Sequence, residues 1–263
     1  MRHVFPLLCC LILTACSTQW QRHTDNTNTP VFKLQATRTS TLPAGGLRPI
    51  GSHELQAGDI LFSAEPGIAS IGVRLFNHAS VSHAFIYLGE GQIAEAIGSG
   101  VQIHALDDAL RTTTLAVAFR RPGLTESDID KIRSFARQQE GRHYNFTGIA
   151  KQIPYSLTRH ACDLPVIPQS IRRLCMNALA VVQITPFSSD RFFCSQFVVE
   201  AFNRAGKPLT DTEPEWVSPA DILHMREGDI FSVTPITRLQ YIGHLQCRPS
   251  PWNMKCTEAP AVD

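Results

Sequence analysis

A series of short apolar runs between residues 58 and 120 most constrains what this 263-residue chain can fold into. The runs are rich in β-branched and aromatic residues, which is typical of strands. A turn at Gly89 and Gly91 separates two of them. The predicted strands are residues 58–62, 81–88, 92–96, 101–104 and 116–120. Their close succession predicts an antiparallel meander.

Helical patterns follow the predicted strands. Thr125 and Asp128 have the spacing of a capping box, an apolar stripe follows them, and Gly141 ends the helix. Further helices are predicted at residues 195–204 and from Ser218, which precedes a proline at the first helical position. Strands followed by helices predict an α+β domain with an antiparallel sheet packed against helices. Residues 150–190 form an insertion with a helical stretch from about residue 169.

The N-terminus has the architecture of a bacterial lipoprotein signal. A short basic start precedes an apolar core that is too short to span a bilayer, since a spanning helix needs about 20 residues. The run that ends at Cys16 resembles a lipobox, which implies a signal peptide over residues 1–15 and a lipid on the Cys16 sulfur. Ser17 points to the outer membrane rather than to retention in the inner one. Polar residues 16–50 are expected to form a flexible tether, and residues 51–263 the folded domain.

Composition excludes several function classes. The formal net charge is +1 and no basic run occurs, so no nucleic-acid partner is expected. The sequence contains no C-x2-C or H-x3-H motif, and we expect neither a metal nor another cofactor. The expected partners are the membrane, through the lipid on Cys16, and an envelope substrate. The apolar stretch at residues 178–184 is interrupted by Gln183 and is expected to be core, with a lipid-facing surface as the alternative.

The eight cysteines leave one thiol over once the others are assigned. Three lie in the N-terminal signal region. Local spacing favours the disulfides Cys162–Cys175 and Cys247–Cys256, although four cysteines allow three pairings. Cys194 would then be an unpaired thiol in an exported protein, which invites a chemical explanation. It stands where an aromatic strand-like run turns into an amphipathic helix, and a helix N-terminus stabilises a thiolate.

A thiol nucleophile needs a base, and His83 is the strongest of the ten histidines. It lies within a regular predicted strand and shares a face with Phe85 and Tyr87. An imidazole on a rigid strand can keep one geometry against a thiol on a helix.

The run from Ser82 through His83 to Ala96, preceded by residues 58–62 and followed by Cys194-Ser-Gln-Phe-Val198, resembles the YaeF/YiiX-like group. That group belongs to the circularly permuted branch of the NlpC-type, papain-like thiol hydrolases, in which the histidine precedes the cysteine. The resemblance covers most of residues 52–225 and implies a permuted papain-like fold. Residues 150–190 and the Cys247–Cys256 tail have no counterpart in it.

The resemblance implies Cys194 as nucleophile, His83 as general base and Glu95 as the polar residue that orients His83. An odd-length loop would place His83 and Glu95 opposite each other on one face of the sheet. An even-length loop without a bulge would place them on opposite faces. His104 and Asp107 are the rival orienting residues.

The oxyanion would be held by the backbone N–H of Cys194 and one further donor. Tyr144 aligns loosely with a tyrosine near the site in this group. Asp59 and Asp221 also match recurrent positions, but they are interpreted as turn and cap residues.

The expected function is a cysteine peptidase or amidase of the cell envelope that works through an acyl-enzyme on Cys194. Peptidoglycan stem peptides are the first substrate candidate. A lipid ester or amide hydrolase or acyltransferase is one alternative, and a non-catalytic envelope-binding lipoprotein is another.

Overall fold

A computed structural model describes residues 18–24, 30–36, 41, 46–66, 80–144, 191–229, 231 and 233–248. These residues belong to two units, and each is described by itself. The predicted helix from about residue 169 and the cysteines Cys16, Cys162, Cys175 and Cys256 lie outside the described residues.

The first unit contains a two-stranded antiparallel pairing of β1 (Thr18–Thr24) with β2 (Pro30–Ala36). The register places Trp20 opposite Leu34. The polar average of residues 16–50 predicts a flexible tether here. The period-2 alternation of Phe32, Leu34 and Ala36 within that polar segment is the strand signal that the average conceals.

The second unit begins earlier than the expected boundary at residue 51. Ile50 is buried, its N–H donates to the carbonyl of His244, and the N–H of His244 donates to the carbonyl of Arg48. Thr41 is also buried and hydrogen-bonds the His244 ring. Local composition does not reveal this attachment, because backbone pairing with His244 and the buried hydroxyl of Thr41 create it.

A six-stranded antiparallel sheet forms the framework of the second unit. The strands are β3 (Ile60–Ala64), β4 (His83–Gly89), β5 (Gln92–Ile97), β6 (Gly100–Ala105), β7 (Leu115–Arg120) and β10 (Gln240–Cys247). Their spatial order is β10-β7-β3-β4-β5-β6, and every neighbouring pair is antiparallel. The predicted meander is therefore present, together with an edge strand from the far end of the chain.

Within the described residues, four α-helices accompany the sheet: α1 (Leu106–Leu110), α2 (Glu126–Gln139), α3 (Cys194–Arg204) and α4 (Pro219–His224). Short 3-10 helices lie at Ser52–Glu54 and Pro214–Trp216, and β8 (His143–Tyr144) pairs with β9 (Arg191–Phe192) in parallel. The predicted capping box at Thr125 and Asp128 is present, and Ser218 and Asp221 form a second one. The α+β class is confirmed, whereas α1 was not predicted.

The two faces of the sheet carry separate apolar clusters. On one face Ala84 and Ile86 of β4 pack with the apolar sides of α2 and α3, where the rings of Phe135 and Phe197 lie 5.6 Å apart. On the other face Phe85 joins a smaller cluster. Each fully buried phenylalanine contributes about 1.5–3 kcal/mol of hydrophobic stabilisation. Because α3 packs against β4, its first residue lies close to the start of that strand.

Among the described residues, no helix is long and apolar enough to cross a membrane. Of the two cysteines described, Cys194 is a free thiol and Cys247 is disulfide-bonded. The partner of Cys247 lies outside the described residues, so the pairing with Cys256 stays a prediction.

Candidate active site

Cys194 is the first residue of α3, and the apolar stripe of that helix determines where its thiol lies. Phe197, Val198 and Ala201 follow at intervals of three, four and seven residues, are buried, and belong to the cluster that α3 forms with the sheet. Cys194 starts the same stripe, and only 6% of its surface is exposed. Its sulfur therefore faces β4 rather than solvent.

Two backbone donors surround the Cys194 sulfur. The N–H of Ser195, in the first turn of α3, hydrogen-bonds it, and so does the N–H of Ala84 in β4. The preceding residue, Phe193, caps the helix without a side-chain hydrogen bond. The positive end of the helix is therefore directed at the thiol, where it favours a negative charge.

His83 lies beside this thiol at the first position of β4 and hydrogen-bonds it. The imidazole stacks on Phe85, with ring centroids 5.5 Å apart and an interplanar angle of 27°. Its side chain is 20% exposed, so the ring is not completely closed off from solvent. The strand and the stacked ring restrict the imidazole to one orientation.

Oε2 of Glu95 accepts a hydrogen bond from Nε2 of His83, and the two atoms lie 2.6 Å apart. The carboxylate is almost completely buried, with 7% of its side chain exposed. An ionised carboxylate can only accept, so Nε2 of His83 must carry the hydrogen. The neutral imidazole therefore keeps its lone pair on Nδ1, the nitrogen that remains for the thiol.

A bulge brings His83 and Glu95 to the same face of the sheet. Gly89 pairs with Gln92 across a two-residue loop, and the register then shifts by one residue before Tyr87 pairs with Ile93. Without that shift the even-length loop would place His83 and Glu95 on opposite faces. The two residues are diagonal neighbours rather than direct partners, in contrast to the odd-length loop considered above.

His104 contacts the other oxygen of the same carboxylate, with Nε2 2.6 Å from Oε1 of Glu95. On β6 it lies two residues from Gln102, the direct partner of Glu95. The sequence predicts His104 as a rival of Glu95, whereas the structure brings both to one site. Asp107 lies exposed in the first turn of α1, and no described contact joins it to His83.

The three groups shift one another's pKa values toward an ion pair. Burial alone would raise the pKa of Cys194, but the hydrogen bond and charge of His83, helped by the two backbone donors, lower it. Burial alone would lower the pKa of His83, yet Cys194 and Glu95 raise it to about 10. Burial opposes ionisation of Glu95, but His83 and then His104 lower its pKa. The site can therefore hold a thiolate next to an imidazolium near neutral pH.

The remaining predicted residues have simpler surroundings or lie outside the description. Asp59 receives a bidentate ion pair from Arg120 and a hydrogen bond from the N–H of Gln56, as a turn residue does. Asp221 caps α4. The backbone of Tyr144 lies in β8, and its side chain is outside the description.

Two features of the site were not predicted: the N–H of Ala84 as a thiol donor and the shared contact of His104 with Glu95. The first depends on where α3 meets β4. The second had a signal in the alternation along β6, which places His104 and Gln102 on one face. Within the described residues, no group of three or more histidine, cysteine, aspartate or glutamate side chains is arranged to hold a metal ion.

Known proteins similar to the chain indicate its family. No family model matches it. It is 39% identical over 210 residues to the Probable lipoprotein peptidase YaeF of Escherichia coli K12, a match that spans 79% of this chain and 77% of that protein. The chain also matches the crystal structure of the metalloprotein YiiX from Escherichia coli O157:H7, with 19% sequence identity and a TM-score of 0.41. This match covers 60% of this chain and 71% of the YiiX chain. On the strength of the match to YaeF, the chain belongs to the YaeF/YiiX-like family.

Proposed function

We propose that this protein is a cysteine peptidase or amidase of the cell envelope, with Cys194 as nucleophile, His83 as general base and Glu95 as the residue that orients His83. The hydrogen-bonded series from the Cys194 thiol through His83 to Glu95 carries the proposal. A binding module needs no such series, whereas thiol catalysis needs each of its members. The printed name of the relative, a probable lipoprotein peptidase, supports the same reaction class.

In the proposed reaction the Cys194 proton passes to Nδ1 of His83, and the thiolate attacks the carbonyl carbon of an amide. The carbonyl π electrons move to oxygen, and the backbone N–H of Cys194 with one further donor holds the oxyanion. Tyr144 is the proposed neighbour of that donor site. As the C–N bond breaks, His83 returns its proton to the leaving nitrogen. Water, deprotonated by His83, then attacks the carbonyl carbon of the thioester. The C–S bond breaks to release the acid, and His83 returns the proton to the Cys194 sulfur.

The order of the two catalytic residues supports a permuted papain-like architecture. His83 lies on an early strand and Cys194 on a later helix, and the helix begins at the cysteine. In the proposed architecture the sheet delivers the imidazole, and the helix N-terminus stabilises the thiolate.

The envelope is the proposed location, with the chain anchored by a lipid on Cys16 to the outer membrane and facing the periplasm. The signal architecture of residues 1–15 and the lipoprotein name of the relative support the anchor. The proposed substrate is a peptide within reach of such an anchor, with peptidoglycan stem peptides first. A lipid ester or amide would use the same thiol chemistry, so the test must identify the acyl group.

The test is to incubate the full-length protein in detergent micelles with envelope extracts, quench with acid, and map the adduct on Cys194 by mass spectrometry. A peptidyl adduct that is absent from Cys194→Ala is expected. A fatty acyl adduct would contradict the peptidase proposal and indicate a lipid hydrolase or acyltransferase instead. Absence of any adduct, together with ordinary thiol reactivity of Cys194, would favour the non-catalytic alternative.

Thiol reactivity is measured by alkylation with iodoacetamide as a function of pH. A lowered pKa of Cys194 means that thiolate is present below the ordinary thiol value of about 8.5. Alkylation of the wild type should therefore be fast near neutral pH, and it should slow in His83→Ala, where burial of the thiol is unopposed by the imidazole.

A further inference from the structure

Glu95 is held at both of its oxygens, although orientation of His83 uses only one. Oε2 lies 2.6 Å from Nε2 of His83, and Oε1 lies 2.6 Å from Nε2 of His104. The carboxylate stands on β5 between the two histidine-bearing strands, and only 7% of its side chain is exposed. The proposed mechanism leaves the second contact unexplained.

We propose that His104 is a positioning residue for the thiol–imidazole pair, because its Nε2–H holds the second oxygen of Glu95 and so keeps the charged carboxylate facing His83. This inference rests on the proposed function and adds a fourth member to its machinery. His104 does not touch the thiol in any described contact and acts through Glu95.

Geometry shows why one donor is insufficient. Rotation about the terminal bond of a glutamate side chain is soft, so a carboxylate with one fixed oxygen can still turn. A second donor on the neighbouring strand fixes the plane of the carboxylate, and with it the direction of the lone pair that His83 meets. The same donor satisfies a buried oxygen that would otherwise lose its hydrogen bond to water.

Charge leads to the same role. Burial favours the protonated form of Glu95, and the two histidines oppose it. If His104 is removed, burial is opposed by His83 alone and Glu95 takes up a proton at higher pH. Once neutral, Glu95 no longer balances the imidazolium of His83, and the Cys194 thiolate loses its counter-ion. The described titratable groups that face Glu95 are His83 from β4 and His104 from β6, with Cys194 behind His83.

The test compares the pH profile of Cys194 alkylation in full-length wild type, His104→Leu and His104→Gln, with iodoacetamide as probe and peptide mapping to isolate Cys194. Leucine has no donor, whereas the glutamine amide can still donate to Glu95. His53→Leu is the matched control, since His53 is exposed and lies outside the site. The readout needs no substrate.

The acid limb of the profile should move about one pH unit upward in His104→Leu, with about a tenfold slower alkylation at the acid end. His104→Gln should restore most of the limb, and His53→Leu should superimpose on wild type. If the wild type keeps its low-pH reactivity and the alkylation profile of His104→Leu superimposes on it, the positioning role of His104 is wrong and the proposed function stands. Ordinary reactivity in wild type itself would overturn the proposed function as well.

A second measurement decides the matter if His104→Leu does not fold. Two-bond imidazole ¹H–¹⁵N spectra of the wild type report which ring nitrogens carry hydrogen. Nε2 of His104 should be protonated and its hydrogen slow to exchange. A neutral His104 with a bare Nε2 would contradict the proposal, because a carboxylate oxygen cannot donate to it.

Discussion

His83 and His244 both lie in the same six-stranded sheet with an aromatic ring centroid 5.5 Å away, yet their environments favour opposite charge states. His83 meets a thiol and a carboxylate, which raise its pKa to about 10 against the effect of burial. His244 is buried and hydrogen-bonded to the hydroxyls of Thr41 and Tyr241. Burial, and then the charge of Arg226, lower its pKa to about 4.

The difference shows what distinguishes a reactive imidazole from a structural one. Burial acts on both rings in the same direction, so burial cannot be the distinguishing factor. Hydroxyl partners satisfy the nitrogens of His244 without supplying charge. Anionic partners at His83 outweigh the effect of burial. The protonated imidazole is therefore stable beside the Cys194 thiolate.

Removal of either member of the thiol–imidazole pair should produce the largest effect. Cys194→Ala should abolish turnover, and His83→Ala should lower kcat by about 10³-fold or more, because no other described group contacts the thiol as a base. Turnover is measured on the peptide or lipid that the trapping experiment identifies. His244→Gln is the matched histidine control and should keep the wild-type kcat per folded molecule. Comparable losses at both histidines would end the distinction between them.

Glu95→Gln should produce a smaller loss, about 10-fold to 100-fold in kcat. The amide oxygen can still accept the hydrogen bond of His83, so its orientation survives. The negative charge that stabilises the imidazolium is gone, and this charge matters most in the transition state. A kcat equal to that of wild type, with only KM changed, would show that Glu95 acts on binding instead.

The sequence predicts the central part of this site better than its surroundings. The strands that carry His83 and Glu95 follow from local alternation and the Gly89–Gly91 turn, and α2 follows from its capping box. These signals lie within a few residues of one another. Local signals therefore predict the α+β class and the strand and helix that carry His83 and Cys194, whereas the catalytic roles of these residues stay a prediction that the family resemblance implies.

Non-local pairing accounts for what the sequence does not predict. β10 joins the sheet beside β7, far away in the chain, and carries His244 to Thr41. The bulge near Gly89 and the register of β6 together decide which oxygens of Glu95 are occupied. A pattern within one segment contains no information about the register between three segments.

The protonation of His244 should appear as a pH dependence of stability. Its pKa of about 4 is lower than the ordinary value of 6.5, so the unfolded chain binds more protons between these values. The free energy of unfolding therefore rises with pH across this window, by on the order of 1 kcal/mol per pH unit. As the pH falls from 6.5 toward 4, this contribution to stability is lost. Urea unfolding at several pH values measures the slope.

His244→Gln is the comparison for that slope, since glutamine does not titrate. The variant should be less stable than wild type at neutral pH, and the gap should narrow as the pH falls toward 4. If the free energies of unfolding of the two proteins run parallel as functions of pH, the fold does not hold His244 neutral. His244 would then no longer serve as the neutral counterpart of His83.

The smallest expected effect concerns the ring that stacks on His83. Phe85 presents a π system nearly parallel to the imidazole, and an aromatic face stabilises an adjacent cation by about 0.5–1 kcal/mol. Phe85→Leu keeps an apolar side chain in the core but removes that face, so the imidazolium becomes slightly less stable and the Cys194 thiolate less populated. Alkylation with iodoacetamide at mildly acidic pH should slow by about twofold to fivefold, while Tyr241→Leu, the corresponding loss of an aromatic ring next to His244, should leave it unchanged. Equal or faster alkylation in Phe85→Leu would mean that the stacked ring only fills space and that the thiol and carboxylate alone account for the raised pKa of His83.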